Sequence, residues 1–393
     1  MRTEGDFIKI NEWLLPLSWL YALGVKLRNL LFEVGLLKSR SFDTPVISVG
    51  NITTGGAGKT PHVEYLVRLL SPYMKVAVLS RGYKRKSKGY QLATTESTVA
   101  DIGDEPCQMK RSFPEIHVAV DRNRCHGIDR LTTDEGTQDT EVILLDDAYQ
   151  HRYVKPGINI LLVDYHRLII YDKLLPAGRL REPESGKSRA DIVIITKCPE
   201  DLKPMEYRVL IRAMNLYPYQ GLYFTSLKYG EMRALYGDGK RTMESISADE
   251  HVLLVTGIAS PEQLRTDMKI HTQHITSLNF PDHHAFVPED IQRINETFAA
   301  MEGSRKTIIT TEKDAVRLLE AGGLSDEAKE ALYVLPITIQ FMLGQEEAFN
   351  QKILDYVRKN SRNSILVKAK DVHKSSNSHH SGDRPRTISF RDN

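Results

Sequence analysis

This sequence predicts an α/β fold, and three observations carry the prediction. Short runs rich in Val and Ile recur along its first half, each followed by a turn or a helical pattern. A glycine loop at 50–60 lies between one such run and an amphipathic helix. A second, shorter series of strand and helix patterns begins near residue 221. Continuous apolar strands alternating with helices argue for a parallel sheet covered on both faces. The chain has 393 residues, above the roughly 250–300 at which one hydrophobic core stops growing, so two folding units are expected.

Segment 1–40 comes first. It holds both tryptophans, Trp13 and Trp19, in a leucine-rich stretch over 13–37 with Lys26 and Arg28 intervening. Its uninterrupted apolar part is shorter than the roughly 18–20 residues a spanning helix needs, and Pro16 and Ser18 interrupt it. Two readings fit: an amphipathic helix at the headgroup boundary of a membrane, or a helix packed on the protein's own core. The pattern alone does not separate them. The opening residues are too mixed in charge for a signal peptide, so export is not expected.

Strands are predicted at 45–49, 75–79, 117–120, 142–145, 158–163 and 191–195, which makes 41–220 the larger α/β unit. Strands at 252–255, 306–310 and 332–337, with helices at 289–301 and 346–359, place a smaller α/β unit at 221–362. Residues 363–393 are polar and basic, a composition that buries too little apolar surface to fold, and disorder is expected there. The paired His379 and His380 of that tail are read as incidental.

Composition limits the function classes. With 41% hydrophobic and 26% charged residues the chain is an ordinary globular protein. The 53 Lys and Arg against 51 Asp and Glu leave a formal charge of +2, so no global field for nucleic acid is indicated and any anionic partner is bound locally. Cys107, Cys125 and Cys198 form neither a paired framework nor a C-x-x-C, which fits a reducing cytoplasm.

The glycine loop reads G-N-I-T-T-G-G-A-G-K-T-P from Gly50. Strand, loop and helix in that order are the context of a P-loop, which makes the larger unit a P-loop NTPase-type sheet. Residues Thr53, Thr54, Gly55, Gly56, Ala57, Gly58, Lys59 and Thr60 are the expected nucleotide cradle. The glycines let backbone amides turn inward, Lys59 neutralises β- and γ-phosphate oxygens, and Thr60 ligates Mg²⁺. Thr53 stands where the usual motif has its first glycine, so the loop is a variant. The run ending at Asp146 and Asp147 supplies Walker-B-type acids for the same cation. ATP and Mg²⁺ are therefore the expected cofactors.

Further segments follow in order: S-R-G-Y at 80–83, G-D-E-P at 103–106, L-D-D-A-Y-Q-H-R at 145–152, L-L-P-A-G-R-L-R-E-P at 174–183 and A-D-I-V-I-I-T-K at 190–197. After them come T-G-I-A-S-P-E-Q at 256–263, F-P-D-H-H at 280–284 and T-E-K-D-A-V-R-L at 311–318. This ordered series closely resembles the tetraacyldisaccharide 4'-kinase family, the membrane-associated lipid A kinases of Gram-negative bacteria, from the N-terminal segment to about residue 360. The resemblance implies transfer of the ATP γ-phosphate to the 4'-hydroxyl of an acylated glucosamine disaccharide 1-phosphate. It implies a peripheral enzyme on the cytoplasmic face of the inner membrane, and it favours the interfacial reading of 13–37. Nothing suggests an obligate oligomer, and a monomer is expected.

The resemblance also assigns roles. Asp104 is implied as the catalytic base, with His283, rather than the adjacent His284, as its partner in a dyad closed by the two units. Arg181 is implied as a γ-phosphate clamp and Glu182 as a further carboxylate of the Mg²⁺ site. Arg81, Tyr83, Glu105, Arg122, Gln150 and His151 are implied as contacts of the sugar or its phosphate. Ala148 and Tyr149 stand where family members often have Gly and Phe, which leaves the acids in place. Two rival readings fit less well. A P-loop ligase leaves the 13–37 segment without a reason, and a membrane-partitioning ATPase switch leaves G-D-E-P and F-P-D-H-H unexplained.

Overall fold

The computed structural model describes residues 8, 10–258 and 261–361. The expected disorder of 363–393 lies outside the described residues. Eight strands lead into the fold: β1 (Val46–Gly50), β2 (Val76–Ser80), β3 (Gln91–Leu92), β4 (His117–Val120), β5 (Val142–Asp146), β6 (Ile158–Asp164), β7 (Ile192–Thr196) and β8 (Gly221–Tyr229). Six follow around a second centre: β9 (Met232–Ala234), β10 (Lys240–Arg241), β11 (His251–Thr256), β12 (Ile275–Asn279), β13 (Lys306–Thr311) and β14 (Leu332–Leu335). A last strand, β15 (Ile337–Phe341), returns to the first group.

The large sheet runs β15-β8-β7-β6-β1-β5-β2-β4-β3 and is parallel except at its two edges. Strands β1, β2, β5 and β7 are buried at every position. Successive side chains point to opposite faces. Ile47 and Val49 accordingly join one core cluster, and Val46, with Ala77, Leu79, Ile143 and Leu145, joins another. The smaller sheet runs β10-β9-β14-β13-β11-β12, parallel in its centre.

Eleven α-helices are assigned among the described residues: α1 (Leu15–Glu33), α2 (Lys59–Leu70), α3 (Val99–Ile102), α4 (Asp104–Ser112), α5 (Arg124–Thr133), α6 (Pro204–Met214), α7 (Pro261–Met268), α8 (Pro288–Ala300), α9 (Glu312–Ala321), α10 (Asp326–Glu330) and α11 (Glu346–Asn360).

Two expectations about the smaller unit need correction. The expected unit 221–362 includes β8, β15 and α11, whereas pairing places both strands in the large sheet. Phe349, Ile353 and Val357, spaced along one face of α11, pack into a core of that sheet with Ile160, Ile192 and Tyr223. The single strand expected at 332–337 divides at Pro336, and its halves serve different sheets. Proline has no N–H for a ladder, so the strand ends there.

Helix α1 runs unbroken. Pro16 sits in its first turn, where a missing N–H costs nothing. Buried Ser18 donates to the Leu174 carbonyl and accepts from the Ala177 N–H, which docks the helix on the large unit. Its outer surface keeps Leu17, Trp19, Leu20, Leu23, Leu27 and Leu30 exposed. Among the described residues no helix is long and apolar enough to cross a membrane.

Candidate active site

The site forms at the carboxyl ends of the central strands, where open α/β sheets bind ligands. Val49 of β1 pairs with Asp146 of β5, so the glycine loop and the Walker-type acids leave the sheet side by side. Gly58, at φ 77°, turns the loop into α2. Its carbonyl meets His62 Nδ1 at 2.7 Å, and His62 Nε2 lies 3.1 Å from Thr225 Oγ1. This buried histidine ties loop, helix and β8 together, and burial lowers its pKa to about 4 against the pull of the Gly58 carbonyl. Thr53 has its own reason at the variant position. Its hydroxyl accepts from the Asn51 amide (3.0 Å), and its backbone bridges to Leu180, bringing Arg181 beside the loop.

The expected cradle from Thr53 to Thr60 lines one wall of a cleft of about 800 Å³. Arg81, Tyr83, Glu105, Arg122, Gln150 and His151 line it too, as do Asp147, Arg181 and His283. Lys59 Nζ lies 3.7 Å from Asp147 Oδ1, and Arg181 donates to the same oxygen at 3.2 Å. Burial would raise the Asp147 carboxyl, but Lys59 and Arg181 outweigh it and hold it below the usual range. Asp147 has φ 46°, a left-handed backbone rare outside glycine and typical of functional positions. Gln150 spends its amide on the Asn51 carbonyl (2.6 Å), bracing the base of the loop. His151 is pushed down to about 4 by burial and the charges of Arg124, Arg28 and Arg81, so its imidazole is neutral.

Asp146 is buried, and its Oδ1 accepts no hydrogen bond. Burial and then the carboxylates Glu105 and Asp147 push its carboxyl up to about 7, against Lys59 and Arg124. A buried carboxylate oxygen without a donor is what a divalent cation satisfies. Neither Asp146 nor Glu182 lines the cleft itself. Glu182 is buried, with Oε2 accepting from Arg189 at 2.7 Å and Oε1 at 3.9 Å from Arg28 of α1. Its Oε2 is thus taken by Arg189, while Oε1, like Asp146 Oδ1, is buried and accepts no hydrogen bond.

Opposite the loop stands the dyad. Gly103, at φ 92°, starts α4, and a Cβ there would come within 2.9 Å of the Tyr83 carbonyl, so only glycine delivers Asp104 to its place. His283 Nδ1 lies 2.6 Å from Asp104 Oδ2, across 179 residues of sequence. His284 turns away to Asp290 (2.7 Å), which decides between the two histidines. His283 holds φ 58°, a second left-handed residue at the site. Asp104 itself is buried, with Oδ1 accepting the Glu105 N–H and Oδ2 shared by His283 and Arg317. Burial would raise its carboxyl, but the bond from His283 and the charges of Lys313 and Arg317 hold it below the usual carboxylate range. Of the pair, His283 is the member that lines the cleft.

Sequence reasoning passed over Asn51, His62, Arg124, Lys313 and Arg317. Lys313 and Arg317 lie in T-E-K-D-A-V-R, and their i, i+4 spacing, which puts both on one helix face, was a legible signal. Arg124 is buried with its guanidinium on the Asp146 carbonyl (3.4 Å), and burial lowers its pKa to about 10. Nothing local distinguishes it from the neighbouring Arg122.

A cradle for phosphates facing a carboxylate-supported imidazole suits one kind of chemistry, delivery of a phosphoryl group to a hydroxyl, and with the parallel sheet it defines the class as a P-loop phosphotransferase. The family model described as LpxK, tetraacyldisaccharide-1-P 4'-kinase, matches residues 10–358. Tetraacyldisaccharide 4'-kinase of Phocaeicola vulgatus is 59% identical over 92% of this chain and 99% of its own. The enzyme of the same name from Bacteroides fragilis is 52% identical over 95% of this chain and 100% of its own. A crystal structure of LpxK from Aquifex aeolicus in complex with ATP is 28% identical, covers 88% of this chain and 98% of that one, and superposes with a TM-score of 0.67. The chain belongs to the tetraacyldisaccharide-1-P 4'-kinase family and is a kinase.

Proposed function

We propose that this kinase binds ATP with Mg²⁺ in the loop at 53–60 and transfers the γ-phosphate to the 4'-hydroxyl of a tetraacylated disaccharide 1-phosphate, a step of lipid A biosynthesis. The observation that carries the reading is the placement of the Asp104–His283 pair across the cleft from Lys59.

His283 gives its Nδ1 proton to the bond with Asp104, which leaves Nε2 to receive the proton of the 4'-hydroxyl. The hydroxyl oxygen then bonds to the γ-phosphorus as the bond to the β-phosphate oxygen breaks, and ADP leaves with that electron pair. Asp104, expected from the sequence as the base, lies off the cleft and acts instead as the buried counter-charge that orients the imidazole and supports it when protonated, so that His283, expected as its partner, takes the role of base. A base so placed contributes about 10²–10⁴-fold. Lys59 and Arg181, which share Asp147 in the structure, exchange that carboxylate for phosphate oxygens, and preorganised charge of this kind contributes most to the acceleration of phosphoryl transfer. Thr60, Asp146 and Asp147 fit the cation, on the strength of the unsatisfied Asp146 oxygen. When bound, Mg²⁺ neutralises phosphate charge. Arg81, Tyr83, Glu105, Arg122 and His151 form the acceptor wall.

Exposed leucines and Trp19 along α1, with exposed Trp13 just before it, support docking of a monomer at the cytoplasmic face of the inner membrane, where an acceptor with four acyl chains resides. The deciding experiment supplies γ-labelled ATP, Mg²⁺ and the tetraacyl disaccharide 1-phosphate in detergent, and follows label into lipid. Labelled lipid is expected. ATP hydrolysis without labelled lipid would refute the transfer.

A further inference from the structure

Helix α9 presents Lys313 and Arg317, one turn apart, to the dyad. Arg317 is buried, with Nη1 donating to Asp314 Oδ1 at 2.9 Å and Nη2 to Asp104 Oδ2. Asp314 is fixed in turn by the Gly257 N–H (2.9 Å) and the Thr311 hydroxyl (2.8 Å). Arg317 is therefore a positioning residue for Asp104. Lys313 is placed differently. It lines the cleft, and its Nζ lies 3.2 Å from His283 Nε2, 3.0 Å from Asp282 Oδ1 and 3.5 Å from Glu105 Oε1. It stands in the first turn of α9, where the helix dipole disfavours a cation, so helix formation does not account for it.

We propose that Lys313 is a further catalytic residue of the phosphoryl transfer, touching the acceptor oxygen beside His283 Nε2 and offsetting the charge that oxygen gains as its proton leaves. The inference rests on the kinase reading above. Any hydroxyl within hydrogen-bond reach of Nε2, roughly 2.8 Å, lies beside an ammonium that already touches Nε2. As the hydroxyl takes its place on Nε2, the Lys313 N–H aimed at that nitrogen turns onto the oxygen. The hydroxyl proton moves to Nε2, the oxygen electron pair forms the bond to phosphorus, and the ammonium keeps all its protons.

In the resting enzyme, the groups facing His283 are Asp104 from α4, Asp282 of its own loop (3.7 Å), the Tyr83 ring, and Lys313 and Arg317 from α9, with Lys84 on its backbone carbonyl and Glu105 behind Lys313. Of these, Lys313 is the cation that meets the ring at Nε2.

The test uses the full chain, the tetraacyl acceptor in detergent, and Lys313→Met and Lys313→Arg. In Lys313→Met, kcat is expected to fall about 10²-fold, the size of losing one transition-state donor. KM for ATP stays within about twofold, and Lys313→Arg recovers at least about tenfold of the loss, since it keeps the charge. An unchanged kcat in Lys313→Met, no recovery in Lys313→Arg, or a KM for ATP that rises as far as kcat falls overturns the proposal. Failure of the wild type itself to phosphorylate lipid overturns instead the reading on which it rests.

Discussion

Replacing Leu20, Leu23 and Leu27 together by Gln tests how the enzyme reaches its acceptor. The three leucines form one stripe of α1 and are 67%, 66% and 55% exposed. Full burial of a leucine side chain is worth about 1.5–3 kcal/mol, so completing the burial of three that are already part-covered gains about 4 kcal/mol on docking. Glutamine has nearly the helix propensity of leucine, so α1 persists. Its inward contacts, Ser18 to Leu174, Tyr21 to the Arg181 carbonyl and Arg28 toward Glu182, are untouched. The expected outcome is a fall of about three orders of magnitude in the partition coefficient onto vesicles, at 1.4 kcal/mol per decade. The melting temperature stays within a few degrees, as is usual for exposed substitutions. Co-sedimentation with vesicles of bacterial phospholipid reads the first quantity, and thermal unfolding without lipid reads the second. Unchanged partition would refute the docking role of this face, because no other force acts through these side chains.

Two further outcomes follow from the site. Asp104→Asn and His283→Asn, the latter chosen because asparagine tolerates the left-handed backbone, are each expected to lower kcat about 10²–10⁴-fold with little change in KM for ATP. Their double variant should be little worse than the poorer single, since the pair acts as a unit; steady-state kinetics in which KM for ATP rises as kcat falls would move Asp104 to the nucleotide site. His62 is neutral in the fold at about 4 and titrates near 6.5 when unfolded, so the unfolded state binds more protons between those values and stability falls as pH drops through that window. Going from pH 7 to 5 costs about 2 kcal/mol through this group, a loss that denaturant titrations of His62→Gln should lack; an equal pH slope in the variant would refute it.

Much of this protein was legible in the chain because the features concerned are local. A P-loop is a strand, a glycine turn and a helix start within one short stretch, and β1, β5 and the acids after β5 are runs whose burial is written in their composition. The ordered motifs also identified the family. What the sequence did not contain was adjacency. The dyad joins residues 179 positions apart, and the choice of His283 over His284 rests on which way a left-handed backbone turns two neighbouring rings. Asp104 and Glu182 read alike as functional acids, yet packing buries the one against His283 and the other against Arg189. Strands β8 and β15 and helix α11 read as part of the later unit because they flank it in sequence; the strands instead extend the edge of the large sheet and α11 packs into its core. The sequence by itself determined the central strands of both sheets, the strand–glycine loop–helix order at 45–70 and which family this is, since local backbone chemistry and side-chain order suffice for these. The tertiary structure alone decided which charges meet across the cleft, because contacts between distant segments are set by how whole faces pack.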